Sequence, residues 1–495
     1  MSFRLMRDVA CPERSRRVRR AAFPGLGAKL VVLLVVWSAA IAHADTLPAP
    51  VRAALKEAGL PQSSLGVWVQ DTQAKRALLE VGAEHAMNPA SSMKLVTTYA
   101  ALDLLGPAYR WKTESYAGGQ LAGETLNDGL ILKGYGDPKL TLENFWLLLR
   151  DLRQRGVRNI RGGVILDQSH FEPGAHDPAA FDNEPLRAYN AFPQALLVNF
   201  NAIRIRLLPQ VDNKALRVVA DPAPPSLKVV NSLQLDAGPC GDWREGFATE
   251  VTTVGAERVL TLRGRFSAAC GEKSFNLNLL PNGSYVDSVF RLLWEELGGT
   301  LDGPVRPGAM PPGASLLASF DSPPLGDTIR DINKFSNNVM ARQLYLTLGA
   351  ERFGPPATPR KGAEAIENWL MAKGLDFPEL VLENGSGLSR LERISPRHLG
   401  MLLVSASNSP VFGEFESSLP IVAVDGTMKK RLLDHGVAGH AHIKTGSLEG
   451  VRSVAGYVFD TKGRRMAVVA MINHPRASAS RPALDALLQW VYERN

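Results

Sequence analysis

The 495 residues contain no Gly-x-Ser-x-Gly elbow, no His-Glu-x-x-His zinc helix and no Walker loop, so three common routes to hydrolytic chemistry are missing. Gly134-Tyr135-Gly136 lacks the third glycine of a dinucleotide fingerprint and runs into Pro138, which makes it a structural turn. Internal repeats, heptads and low-complexity blocks are absent as well. The apolar run from Leu30 to Ile41 is too short to span a bilayer comfortably, and no stop-transfer pattern follows it. It is preceded by Arg14, Arg16, Arg17, Arg19, Arg20 and Lys29 and followed by Ala42-His43-Ala44. That order of charged, apolar and small residues marks residues 1–44 as a secretory signal cleaved after Ala44, with an uncleaved anchor as the alternative.

A surplus of charge is missing too, once the leader is set aside. The chain carries +7, but residues 1–44 hold eight Lys/Arg and two Asp/Glu, which leaves +1 and no basic surface for nucleic acid. Cysteine is scarce. Cys11 lies in the leader, so only Cys240 and Cys270 remain, and two thiols in an oxidising compartment are expected to form a disulfide. The alternative is a pair of unrelated reduced thiols.

What is present is a chain long enough for two to four domains. Leu65, Val67 and Val69 alternate as in a strand within 64–70, and a second strand is expected near 77–81. After Asn88-Pro89-Ala90 the spacing of Met93, Val96, Thr97, Ala100, Ala101 and Leu104 turns helical, placing Ser91 at a helix start. From about Trp111 to Gly313, short alternating runs separated by Gly, Pro, Asn and Asp predict a mostly β region holding both cysteines. Helical spacing returns over 286–297, 325–348 and 363–373, and the chain closes with strands over 454–459 and 466–472 and a helix over 482–492. This describes an α+β core interrupted by a large insertion.

Three short motifs carry the chemistry. In Ser91-Ser92-Met93-Lys94 one helical turn brings hydroxyl and amine to the same face, where a lysine of lowered pKa can take the proton that makes serine a nucleophile. Ser336-Asn337-Asn338 interrupts an apolar helical pattern, and Lys444-Thr445-Gly446 opens a strand whose glycine admits a close ligand backbone. Singly each is weak; a Ser-x-x-Lys on a helix is usually a surface pair. Their order matches the signature set of penicillin-binding proteins and serine β-lactamases. His440 and His442 alternate on the Lys-Thr-Gly strand, but with no third ligand nearby no metal site is expected.

Further stretches narrow the likeness. Gly134-Tyr135-Gly136-Asp137-Pro138, Tyr189-Asn190-Ala191-Phe192-Pro193, Asn199-Phe200-Asn201, Gly385-Ser386-Gly387-Leu388-Ser389-Arg390 and Val424-Asp425-Gly426-Thr427-Met428 resemble the low-molecular-mass class C penicillin-binding proteins, the D-alanyl-D-alanine carboxypeptidase/endopeptidase family. The resemblance implies a penicillin-binding, serine β-lactamase-like transpeptidase core over 45–112 and 314–495, with a mostly β insertion over 113–313, read as two subdomains, between the Ser-x-x-Lys and Ser-x-Asn motifs. About 240 residues separate Ser91 from Ser336, far more than a compact β-lactamase needs. The family pattern often has Asp where this chain has Asn337 and Asn384.

The implied activity is acyl transfer from peptidoglycan stem peptides, inhibited by β-lactams, in the periplasm and without metal or organic cofactor. Ser91 is the implied nucleophile, Lys94 its base, Ser336 the proton relay and Asn338 the orienting amide. Lys444 and Thr445 are implied to hold the substrate carboxylate, with Gly446 and Ser447 beside them. Asp167 and Arg390 are implied to read a zwitterionic stem-peptide end. Otherwise Asp167 caps a turn and Arg390 pairs with a carboxylate such as Glu392. An inactive cell-wall scaffold is the competing function. Oligomeric state and peripheral membrane association stay open.

Overall fold

The protein is described by a computed structural model covering residues 46–494 other than 176, 211–214 and 256. The expected leader lies outside the described residues. Leu65, Val67 and Val69 form one side of the strand Leu65–Asp71, which pairs antiparallel with Leu79–Val81 and with Arg465–Asn473. Val451–Phe459 and then Ala441–Leu448 extend the sheet to five antiparallel strands. The two closing strands are each longer than their apolar cores predicted, because Arg452 and Arg465 pair into the ladder as well.

Both faces of this sheet are covered. Val67, Val69, Val454, Val468 and Ile472 pack with Val51 and Leu55 of Ala49–Glu57 and with Leu484, Leu487 and Leu488 of Arg481–Glu493. On the opposite face Trp68, Ala455, Tyr457, Val469 and Met471 meet the helices Lys94–Leu105, Leu325–Lys334, Asn338–Phe353, Pro359–Ala372 and Pro396–Ser407. Gly400 lets the last of these lie directly on the sheet: a Cβ there would sit 2.1 Å from the Trp68 ring. Lys94–Leu105 is buried along most of its length, so it runs through the core rather than over the surface.

The continuous helix expected over 325–348 is two helices. The chain breaks at Phe335–Asn337, where Ser336 takes a positive φ of 57° and Asn337 starts the second helix by accepting a hydrogen bond from the Met340 amide at 3.1 Å. Ser336-Asn337-Asn338 interrupts the apolar pattern, but the spacing resumes beyond it because both helices face the same core, so the interruption reads as polar residues on one helix rather than as its end.

Among the described residues, strands within 112–321 build four other sheets, of five, four, three and three strands. The helix Asn282–Glu296 was expected from spacing, whereas Leu142–Gln154 was not. Its buried Phe145, Leu148, Leu149 and Leu152 nevertheless keep helical intervals behind the capping Thr141. Cys240 and Cys270 are joined, linking the segment before strand Phe247–Val254 to the end of Glu257–Ser267. The bond closes a loop of 30 residues, and the chain-entropy relation gives it about 3.5 kcal/mol. Reduction is therefore expected to expose the strands at 227–267 to proteolysis or hydrogen exchange, while any reactivity of Ser91 survives reduction better than this region's stability does. Unaltered protection there would mean that packing alone holds these strands.

Candidate active site

The Ser91 turn is shaped by polar residues before it. Asn88 accepts a hydrogen bond from the Ala90 amide at 2.8 Å and donates to the Ser389 carbonyl at 2.9 Å. Ala90 is held at a positive φ of 47°, and residues 90–93 form a single tight turn before the α-helix opens at Lys94. Ser91 thus lies just ahead of the helix rather than within it. Gly387 is obligatory here: its φ is +80°, and a Cβ would lie 1.9 Å from the Ala90 carbonyl oxygen.

Lys94 is fully buried. Its amine lies 3.0 Å from Ser91 Oγ and 2.5 Å from Asn338 Oδ1, with the Ser386 carbonyl as third partner. Two of these partners are carbonyl oxygens, which only accept, while the Ser91 hydroxyl is able to donate. A neutral amine has two N–H donors and one lone pair, so it satisfies both carbonyls and still accepts the Ser91 proton. Burial holds the Lys94 pKa well below the ordinary lysine value, the positive charge of Lys444 lowers it further, Glu392 opposes and Arg342 assists.

Lys444 is also fully buried, and burial pushes its pKa down to about 7. Its ammonium donates to Ser336 Oγ and to the Thr445 carbonyl, each at 2.8 Å. Lys444 lies opposite Ala455 in the sheet and Gly446 opposite Ser453. A Cβ on Gly446 would sit 2.2 Å from Ser453 Oγ and 2.6 Å from the Pro89 carbonyl oxygen. The protein's own backbone, not only a ligand, therefore demands this glycine. Thr445 Oγ1 bonds Thr427 Oγ1 at 2.9 Å. The loop carrying Thr427 is tied down by Asp425, whose carboxylate accepts from the buried Lys334 amine at 2.6 Å.

The two departures from the family pattern have structural work. Asn337 caps the helix whose first residue, Asn338, bonds Lys94, a task Asp performs equally. Asn384 accepts from the Ser386 amide at 3.0 Å and donates to the Leu388 carbonyl at 3.0 Å, and the second bond is beyond a carboxylate.

One residue given no part in the expected site organises it. Glu392 is fully buried, and its Oε1 accepts the backbone amides of Glu383, Asn384 and Gly385 at 3.2, 3.0 and 2.8 Å. Burial pushes its pKa up while these bonds and Lys94 hold it down. The turn it gathers supplies the Ser386 carbonyl to Lys94 and the Gly385 carbonyl to Thr97. A carboxylate closely following a Gly-Ser-Gly turn was the available signal, since such turns leave amides without strand or helix partners.

Ser91, Ser336, Asn338, Arg390, Thr445, Gly446 and Ser447 line one groove of about 1090 Å³, with Lys94 and Lys444 buried beneath it. Arg390 does not meet Glu392. It donates to the Glu449 carbonyl at 3.0 Å, lies 3.5 Å from the exposed Glu449 carboxylate and stacks 4.8 Å from the Phe181 ring. Asp167 does not line the groove. Its two oxygens accept the amides of Ser169 at 2.9 Å and Met310 at 3.0 Å, with Lys133 at 3.6 Å. These bonds outweigh burial and keep its pKa below the usual carboxylate value, the pattern of a turn cap.

The model of the D-Ala-D-Ala carboxypeptidase 3 (S13) family matches residues 47–493. The D-alanyl-D-alanine carboxypeptidase DacB of Haemophilus influenzae is 25% identical over 419 residues, which are 84% of this chain and 86% of that protein. The D-alanyl-D-alanine carboxypeptidase of an Actinomadura species is 27% identical over 433 residues, 83% of this chain and 78% of that one. The crystal structure of penicillin binding protein 4 from Haemophilus influenzae superposes with a TM-score of 0.72 at 23% identity, covering 89% of this chain and 99% of that one. With its family model matched across nearly all of the described residues, this chain belongs to the D-Ala-D-Ala carboxypeptidase 3 (S13) family.

Proposed function

We propose that the chain is a serine-type D-alanyl-D-alanine carboxypeptidase/endopeptidase that hydrolyses peptidoglycan stem peptides and cross-links through an acyl-enzyme, and that β-lactams block it at that stage. The observation that carries this reading is the buried Lys94 amine in contact with Ser91 Oγ, Asn338 Oδ1 and the Ser386 carbonyl. Ser91 Oγ attacks the carbonyl carbon of a D-alanyl peptide bond as its proton passes to Lys94. Backbone N–H groups of Ser91 and Ser447 receive the oxyanion. When the C–N bond breaks, the proton reaches the leaving amine through Ser336, and water then cleaves the ester and restores Ser91. Lys444 and Thr445 hold the substrate carboxylate, and Asn338 orients both Lys94 and the substrate amide.

The same reading assigns catalysis to 45–112 and 314–495, treats 113–313 as an insertion, and places the enzyme in the periplasm after removal of 1–44. Among the described residues no helix is long and apolar enough to cross a membrane. The reading of an inert scaffold is less well supported, because a scaffold has no use for two lysines fully buried at one groove.

Ser91→Ala is expected to abolish both covalent labelling by a fluorescent penicillin and release of D-alanine, with the fold retained. Residual burst-phase acylation would refute the assignment. Lys94→Ala should slow acylation by ~100-fold or more, the scale of a lost general base.

Because the positive charge of Lys444 helps to hold the Lys94 pKa down, removing it favours the protonated form of Lys94. The acid limb of the acylation pH profile should therefore move to higher pH in Lys444→Met, whatever happens to the maximal rate. A limb that stays in place would mean that Lys94 is not the titrating base. Arg390 lines the groove without bonding to Ser91, Lys94 or Ser336, and Arg390→Ala is expected to weaken stem-peptide cleavage more than penicillin acylation. Equal losses would make it a support of the fold.

A further inference from the structure

Ser336 sits in a break between two helices, so the direction of its hydroxyl depends on how Leu325–Lys334 and Asn338–Phe353 are held relative to each other. Each helix is tied to the segment 137–202, which lies in the region between the Ser91 and Ser336 motifs. Before the break, Asp331 pairs with the Lys139 amine at 2.6 Å. The backbone of Lys139 is itself fixed, its amide donating to Asp137 at 2.7 Å and its carbonyl accepting from Asn144 at 2.8 Å. After the break, Gln343 exchanges two hydrogen bonds with the backbone of Gln194: its Oε1 accepts the amide at 3.0 Å and its Nε2 donates to the carbonyl at 2.8 Å. Gln343 is fully buried, so water does not replace either bond when it is lost.

The same segment presses on the first turn of the second helix. Val339, the neighbour of Asn338, is buried with Ala191 and Leu197, and Phe200 packs against them. Phe200 is delivered there by strained backbone: Asn199, Phe200 and Asn201 take φ of 49°, 57° and 54°, three successive non-glycine residues in the left-handed region. Side chains and carbonyls from farther along the chain hold this turn in place. Asn199 donates to Tyr285 Oη at 3.0 Å, and Asn201 donates to the Leu280 carbonyl at 2.7 Å. Strain of this kind persists only where the surrounding structure over-determines it, and it gathers at functional sites.

We infer that Gln343, through its bonds to Gln194, and Phe200 are positioning residues for Ser336, clamping the helix break that aims its hydroxyl at the leaving group. Neither residue lines the groove, so both act through Ser336 rather than on the substrate. The region between the first two motifs is then part of the catalytic apparatus and not an appendage to it. The inference rests on the relay role proposed for Ser336 above. An amine leaves only when its nitrogen gains a proton, and that proton comes through Ser336; a sulfur leaving group departs as a thiolate and needs none.

The test compares kcat/KM for the pentapeptide L-alanyl-γ-D-glutamyl-diaminopimelyl-D-alanyl-D-alanine with kcat/KM for its thioester, in which D-2-mercaptopropionate replaces the terminal D-alanine. The acyl portion and the terminal carboxylate are the same, and only the leaving atom differs. Gln343→Leu should lower the amide value by on the order of 10- to 100-fold, the scale of a catalytic group misplaced by ~1 Å, while the thioester value stays nearly unchanged. Phe200→Ala should show the same selective loss, and Phe200→Leu should restore part of it. Ser336→Ala sets the scale, with the largest fall in the amide-to-thioester ratio. Circular dichroism reports which variants are folded, and where Gln343→Leu does not fold, the Phe200 pair decides. Equal losses on both substrates by folded variants, or no loss on either, overturn the positioning role and leave the hydrolase reading intact. A Ser336→Ala enzyme that keeps the native ratio would instead overturn the relay on which the inference rests.

Discussion

The structure is organised around an amine withdrawn from water. An isolated ammonium in the interior is costly, so Lys94 either meets several acceptors or gives up its proton, and here the same three partners serve both states. As an ammonium it has three acceptors; as an amine it keeps two and receives the Ser91 hydroxyl. Those partners lie 244 residues away at Asn338 and 292 residues away at Ser386. Only a completed fold brings them to Lys94, so the chemistry of Ser91 is conditional on tertiary structure rather than on its own motif.

Charge is arranged to the same end. Two lysines share the site without touching: Lys444 donates to Ser336 and to its own neighbour's carbonyl, close enough to bias Lys94 electrostatically but bonded elsewhere. Glu392 tempers this bias while serving as the anchor of the Gly-Ser-Gly turn. A carboxylate paired directly with Lys94 would hold the amine charged and useless as a base. Placing Glu392 one backbone turn away, with Oε1 committed to amides, keeps the turn fixed without a direct ion pair.

Much of this was legible in sequence where the signal is local. The alternation of Leu65, Val67 and Val69 and the helical spacing after Met93 rest on periods of two and 3.6 that tertiary context did not override. What escaped depends on contacts between distant segments. At Ser336 the sequence shows only a polar interruption of a helical pattern, and the positive φ that separates two helices there belongs to the folded chain. Gly446 is read from sequence as room for a ligand, and only the neighbouring Ser453 and Pro89 show that the fold itself fills that space. Glu392 looked like a surface partner for Arg390, yet it is fully buried and Arg390 faces Glu449.

Activation of Ser91 requires Lys94 to be a neutral amine at working pH, and a direct titration measures it. With lysine side chains labelled at the ε-carbon and the Lys94 resonance assigned through Lys94→Arg, the NMR shift should titrate well below the ~10.4 of an ordinary lysine. A Lys94 resonance that titrates with the exposed lysines would mean that the amine stays charged beside Ser91, and the proton acceptor would have to be sought elsewhere.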